Sequence, residues 1–175
     1  MSADRPGDDP MVVLPAPPTT KAPAERFTGD VWVDGITGGA GPGTATLATV
    51  RFSPGARTAW HCHANGQTLH VTDGVGIVQS RDGQTIVMRP GDTVETPPGT
   101  WHWHGAAPDS FMAHLALSIA GGDVEWGEHV TDDEYAASTA EGNMRRPRKA
   151  PRHPVRRVPR CRSPRRAASP SAAPS

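Results

Sequence analysis

Three histidines and a glutamine fall along this chain at spacings suited to holding a metal ion. In Gly55-Ala-Arg-Thr-Ala-Trp-His61-Cys62-His63-Ala-Asn-Gly-Gln67, closed by Gly74, two imidazoles stand two residues apart. Alternate side chains of an extended strand share a face, so His61 and His63 present their rings to the same point. A second stretch, Gly91-Asp-Thr-Val-Glu-Thr-Pro97-Pro98-Gly99-Thr-Trp-His102, brings a third imidazole, and Gln67 with His102 can complete a cage of four donors. Imidazole with oxygen donors suits manganese, iron, zinc, nickel or copper, and leaves open positions where a substrate can meet the ion. All four donors are neutral. The ion would keep its full dipositive charge and act as a stronger Lewis acid toward a hydroxyl or carbonyl than one offset by a carboxylate. The competing reading, histidines that only pack or hydrogen-bond, suits a lone histidine better than four donors at linked spacings.

Short β-type runs must position these residues. They read as Asp30–Val33, Thr44–Phe52, Arg57–His63, Thr68–Thr72, Val75–Ser80, Gln84–Met88, Thr93–Thr96, Trp101–Gly105 and Phe111–Ile119, punctuated by Asp34-Gly35, Ser53-Pro54-Gly55, Asp73-Gly74, Asp82-Gly83 and Pro90-Gly91-Asp92. Such regular punctuation predicts an all-β sandwich or barrel of hairpins. One short helix is predicted from Asp132 to about Ala137, with Thr131 as N-cap and Glu134 as its capping-box partner. In Thr44–Phe52 the set Ala48, Val50, Phe52 can line one face while Thr49 and Arg51 take the other. In Phe111–Ile119 the set Met112, His114, Ala116, Ser118 lies opposite Phe111, Ala113, Leu115 and Leu117. Closure into a barrel turns alternate side chains inward. Ala48, Val50 and, where its set is the one turned inward, Met112 are the expected apolar pocket edge. Trp60, Trp101 and Trp103 are out of phase with the ligands and should face packing or a subunit contact. His70 and His129 have no linked partner at ligand spacing.

At 175 residues the chain fits one domain with length to spare. Its zero net charge conceals a split: residues 1–141 hold 7 Lys/Arg against all 18 Asp/Glu, while residues 142–175 hold 11 Lys/Arg and no acid. An acidic body is no nucleic-acid surface; only the tail could be one. The expected division is an arm over 1–25 that stays disordered, a domain over 26–140, and a disordered basic Pro/Arg/Ser-rich tail over 141–175. For the tail two other readings stand beside disorder. One is an arm for an anionic partner; the other is the product of a shifted reading frame in GC-rich DNA. Cys62 and Cys161 occupy unlike settings and make no disulfide framework. Met11–Leu14 is too short for a signal-peptide core, and no apolar run approaches the roughly 18 residues of a membrane span. The expected location is the cytoplasm.

The two ligand-bearing stretches resemble the paired motifs of cupins, small antiparallel barrels of jelly-roll type with a metal in the mouth. Gly55, His61, His63, Gln67 and Gly74 fall at the spacings of the first motif, with Gln67 where glutamate is usual. Gly91, Pro97, Gly99 and His102 satisfy the second, while Ala106 stands where asparagine would be. A closer resemblance covers roughly Phe27 to Tyr135. It runs through Pro54-Gly-Ala-Arg-Thr-Ala-Trp-His-x-His, Gly66-Gln-Thr-Leu, His102-Trp-His-Gly-Ala-Ala-Pro108, Met112-Ala-His-Leu-Ala and Glu128-His-Val-Thr-Asp132. These segments look like those of the manganese-dependent bacterial (R)-hydroxynitrile lyases of cupin type, whose ligands are three histidines and a glutamine. The resemblance implies one divalent ion, manganese before iron, zinc or nickel, held by His61, His63, Gln67 and His102. It implies that His104, one step beyond His102 on the same strand face, is the base that takes a cyanohydrin proton. It places His114 in the cavity, to orient substrate, to hydrogen-bond cyanide, or simply as wall. The substrate would be a small molecule and the protein a homo-oligomer. Two other functions fit the same ligands: an iron-dependent cupin dioxygenase, and a non-catalytic cupin that binds a small molecule.

Overall fold

A computed structural model describes residues 11–38 and 43–142 of the chain. Among these the strands are β1 (Thr20–Lys21), β2 (Phe27–Thr28), β3 (Val31–Gly38), β4 (Ala45–Phe52), β5 (Arg57–Thr58), β6 (His61–His63), β7 (Gln67–Gly74), β8 (Gly76–Ser80), β9 (Thr85–Met88), β10 (Thr93–Thr96), β11 (His102–Ala106), β12 (Met112–Ile119) and β13 (Val124–Trp126), followed by helix α1 (Asp132–Gly142).

Alternation of side chains along β4 and β12 decides how the sheets face. The two strands pair antiparallel over their whole length, Met112 opposite Phe52 and His114 opposite Val50. Those four side chains are buried, while Arg51 between Val50 and Phe52 is exposed. The inner set is the one expected. One sheet runs β1-β3-β4-β12-β7-β10; the other runs β13-β6-β11-β5-β2, with the β8–β9 hairpin added on β11. Every strand pairing among the described residues is antiparallel. Between the sheets a core of Val31, Phe52, Leu69, Val71, Met88 and Met112 is closed from water. Each such large side chain contributes about 1.5–3 kcal/mol by burial. Gly74 closes the first ligand-bearing stretch because it takes φ 71°, and a Cβ there would run into the Phe111 carbonyl oxygen.

Several local expectations need correction. Asp34-Gly35 is no turn: β3 continues through it beside β4, with an irregularity in register between Gly35 and Thr37. The arm expected over 1–25 is described from Met11, and its end is held: Thr20 pairs with Val33 and Lys21 with Trp32. The sheet therefore begins before Phe27. The expected run Arg57–His63 breaks at Ala59 and Trp60, whose amides bond to the carbonyls of Arg26 and Glu128 instead. Gly105 opposes Arg57 and His102 opposes His61, so four steps along β5–β6 match three along β11. One extra residue of this kind bends a strand and re-aims its side chains. The basic tail from 143 onward lies outside the described residues. Among those described, no helix is long and apolar enough to cross a membrane.

Helix α1 starts as predicted and runs longer. The Glu134 amide donates to Thr131 Oγ1 at 3.2 Å while the Thr131 amide donates to Glu134 Oε2 at 2.8 Å, the reciprocal capping box. A second cluster, Trp60, Ile77, Trp103, Val130 and Tyr135, seats the helix on the barrel wall. Buried Arg57 ties them together, donating to the Val130 carbonyl through Nε at 3.2 Å and Nη2 at 3.0 Å, with its guanidinium 4.7 Å from the Tyr135 ring centroid. Its ion pair with Asp132 matters less, because that carboxylate is almost wholly exposed. Arg57→Met should cost about 1–3 kcal/mol of unfolding free energy by leaving the Val130 carbonyl without its donors, read as the urea midpoint. Asp132→Asn should cost under about 1 kcal/mol. Equal losses in the two variants would contradict this ordering.

Candidate metal centre

Strand β6 carries His61 and His63, the start of β7 carries Gln67, β11 carries His102 and His104, and β12 carries His114. The sheet register brings them together. His102 lies directly opposite His61, and Gln67 opposes both Ser118 and Thr96. The His61 and His102 rings are 4.3 Å apart between centroids; His63 lies 5.3 Å from His61 and 6.0 Å from His102. On the other side His104 lies 5.2 Å from His61 and 6.0 Å from His102. Ligand atoms of His61, His102 and His104 all fall within 4.8 Å of one another, so these three buried histidines could hold a metal ion. His63 and His104 thus flank the central pair almost symmetrically.

Hydrogen bonds on the far ring nitrogens assign the free ones. His61 Nδ1 is 3.0 Å from the Ala59 carbonyl and His102 Nδ1 is 2.9 Å from the Thr100 carbonyl, so each Nδ1 donates and each Nε2 keeps its lone pair. His63 Nδ1 lies 3.4 Å from Ser118 Oγ. Gln67 Oε1 then faces His102 Nε2 at 3.0 Å. With the proton on Nδ1, that pair is two acceptors pointing at each other, an arrangement a cation relieves. The donor set fits a divalent ion on this ground, independently of its spacing in sequence.

Burial governs the protonation of the whole group. It drives His61 down to about 3, helped by His102, and His63 and His114 to about 4. The same cause lowers His102, and lowers His104 far below the ordinary imidazole range, with His114 the next contributor. The rings are therefore neutral near pH 7, as ligands and bases require. An unfolded histidine takes up a proton as pH falls through about 6.5, whereas folded His61 and His114 do so only near 3 and 4. Their contribution to stability is complete above about 6.5, declines as pH falls, and is gone below the folded values. Metal-stripped protein should lose melting temperature steadily between pH 6.5 and 4.5, and a flat profile would contradict a buried neutral cluster.

His104 Nδ1 and both nitrogens of His114 are buried and, among the described residues, make no hydrogen bond of ordinary geometry. The two rings meet edge to face at 4.9 Å, and Phe52 lies against both, at 5.7 Å from His104 and 5.5 Å from His114. His114 is thus inside the barrel. Of the three expected pocket residues, Ala48 lines a described cavity of about 570 Å³, whereas Val50 and Met112 are packed into the core and line neither described cavity. A second cavity, about 400 Å³, reaches Gln67; both touch Ser118. Trp60 and Trp103 pack under α1, and Trp101 joins Trp60 around the Arg81 guanidinium. His70 and His129 bond Thr93 and Thr28. Two contributors escaped the sequence reading: Ser118 as the partner of His63, and Trp126, which stacks on His61 at 4.9 Å. Trp126 sits on three-residue β13, too short to show any period; Ser118 already lay on the inward set, and only its partner was illegible.

An (R)-mandelonitrile lyase of Granulicella tundricola is 49% identical over 117 residues, which cover 66% of this chain and 89% of that protein. A family model described as "Cupin domain" matches residues 48–119, a span that holds all four expected ligands, His104 and His114. The chain belongs to the cupin family. A cupin-like protein of Thermotoga maritima superposes with a TM-score of 0.66 at 41% identity, covering 69% of this chain and 92% of that one. A cupin 2 conserved barrel domain protein of Rhodopseudomonas palustris shares the fold, with a TM-score of 0.55 at 20% identity over 69% of this chain and 81% of its own. A shorter match, 41% over 51 residues, is to gentisate 1,2 dioxygenase 1 of Aquipseudomonas alcaligenes and covers 29% of this chain and 15% of that protein. The relatives' names belong to enzymes, a lyase and a dioxygenase, that act on small molecules.

Proposed function

We propose that this cupin, through its domain over 26–140, is a metal-dependent lyase that splits a cyanohydrin into an aldehyde and hydrogen cyanide, and joins them in reverse. The likeness to the mandelonitrile lyase, spread over most of that protein, carries the reading; the neutral donor set His61, His63, Gln67 and His102 supports it. When bound, a divalent ion, with manganese the first candidate, would supply Lewis-acid stabilisation of negative charge on the substrate oxygen.

The chain's own groups would do the rest. Neutral His104 takes the hydroxyl proton at a ring nitrogen. As the carbon–carbon bond to the nitrile breaks, its electron pair leaves with cyanide and the carbon–oxygen bond becomes the aldehyde carbonyl. Protonated His104 then returns the proton to cyanide, with His114 as the second candidate donor. Phe52 keeps water from both rings. The small side chain of Ala48 leaves room for the organic group.

Gentisate 1,2 dioxygenase 1 supplies the second reading, an iron-dependent oxygenation at the same ligands. Oxygen separates the two. Metal-replete protein should release benzaldehyde from mandelonitrile equally fast in air and in anaerobic buffer; turnover that stops without oxygen would favour the dioxygenase. Free, buried Cys62 is compatible with the cytoplasm as the setting. Leu47, Leu115 and Leu117, half-buried on the outer face of β4 and β12, support a homo-oligomer joined through that face.

A further inference from the structure

The 570 Å³ cavity has an unusual wall: Leu14, Pro15 and Pro17, from the segment expected to stay loose, line it together with Ala48, Ala116 and Ser118. Its floor follows from register. Gly35 lies opposite Ala48, and Ala48 opposite Ala116, so these three small residues form one row across β3, β4 and β12. Directly opposed residues of an antiparallel pair share a face. On β12 that is the face of buried His114, two residues before Ala116. It is also the face of Ser118, which reaches His63. A Cβ on Gly35 would stand 3.7 Å from Pro17 Cγ, so the arm crosses over this same inner face.

The arm is held there by specific contacts rather than by its own burial. Beyond the β1–β3 pairing, Thr19 Oγ1 donates to Asp34 Oδ1 at 2.6 Å and Lys21 Nζ pairs with Asp30 at 2.7 Å. Pro15, Pro17 and Pro18 restrict the stretch before Thr19 to extended backbone. The result is a stiff apolar strip across a trench that the row Gly35-Ala48-Ala116 leaves open, next to the candidate metal centre.

We propose that Leu14–Pro17 is the outer wall of the substrate pocket and that Leu14 determines specificity, its side chain meeting the organic substituent of an aromatic cyanohydrin while the trench receives the ring. The substrate class rests on the lyase reading above. The test uses the full chain, metal-loaded, and Leu14→Ala, a side chain 63% exposed whose truncation leaves the core intact. The ratio of kcat/KM for mandelonitrile over that for lactonitrile should fall about tenfold, the size expected when part of a hydrophobic contact is removed, and should fall through KM. Calorimetric titration with benzyl alcohol reads the same wall without turnover: its Kd should rise about fivefold to tenfold in Leu14→Ala. If wild type cleaves no cyanohydrin yet benzyl alcohol binding weakens as stated, the wall stands and the lyase reading falls. An unchanged substrate ratio in an active enzyme, an unchanged Kd, or no saturable benzyl alcohol binding by wild type overturns the proposal.

Discussion

His104→Ala should keep its metal and lose about 100- to 10,000-fold in kcat for mandelonitrile cleavage, the usual contribution of general-base assistance. KM should change little, because proton removal belongs to the transition state while the substrate oxygen is still held at the open position. Geometry makes this a demanding test, since His104 stands as near to His61 and His102 as His63 does. The surroundings differ. His63 is half-buried and reaches Ser118 beside Gln67, where donor atoms converge. His104 is fully inside, against Phe52 and His114, with Nδ1 unpartnered among the described residues. Loss of the ion from His104→Ala would make His104 a ligand; full-rate cleavage by the metal-replete variant would remove it from the mechanism.

The second large effect is on metal retention. His61→Ala, His63→Ala and His102→Ala should each weaken binding by more than about 100-fold, since losing even a group that merely orients a ligand costs 10- to 100-fold. Gln67→Ala should weaken it less, because a neutral amide is the poorest donor of the four. Facing acceptors at Gln67 Oε1 and His102 Nε2 carry the expectation for that pair. Equal metal content by mass spectrometry in wild type and all three histidine variants would dismiss the site.

What could be read from the chain was whatever repeats or sits at fixed spacing. The inward set Met112, His114 with Val50, Phe52, and the Thr131–Glu134 box are local patterns, and the structure keeps them. Two-residue β1 and three-residue β13 exist only because β3 and β6 lie beside them, so no periodicity announces them. Asp34-Gly35 has turn chemistry, but pairing with β4 overrides it. Val50 and Met112 were correctly turned inward, yet depth along a strand decides between core and pocket. Alternation gives the face and not the depth. The extra residue between β5 and β6 is likewise invisible to spacing, because it exists only against the register of β11.

One titration bears most directly on the lyase reading. Purified protein is stripped with chelator, reloaded with manganese in steps, and followed by elemental analysis and by benzaldehyde release from mandelonitrile in the same samples. Cleavage should be absent from stripped protein and rise in proportion to bound metal, levelling at one ion per chain. Protein carrying one ion per chain that releases no benzaldehyde, or stripped protein that releases it at the full rate, would contradict the reading.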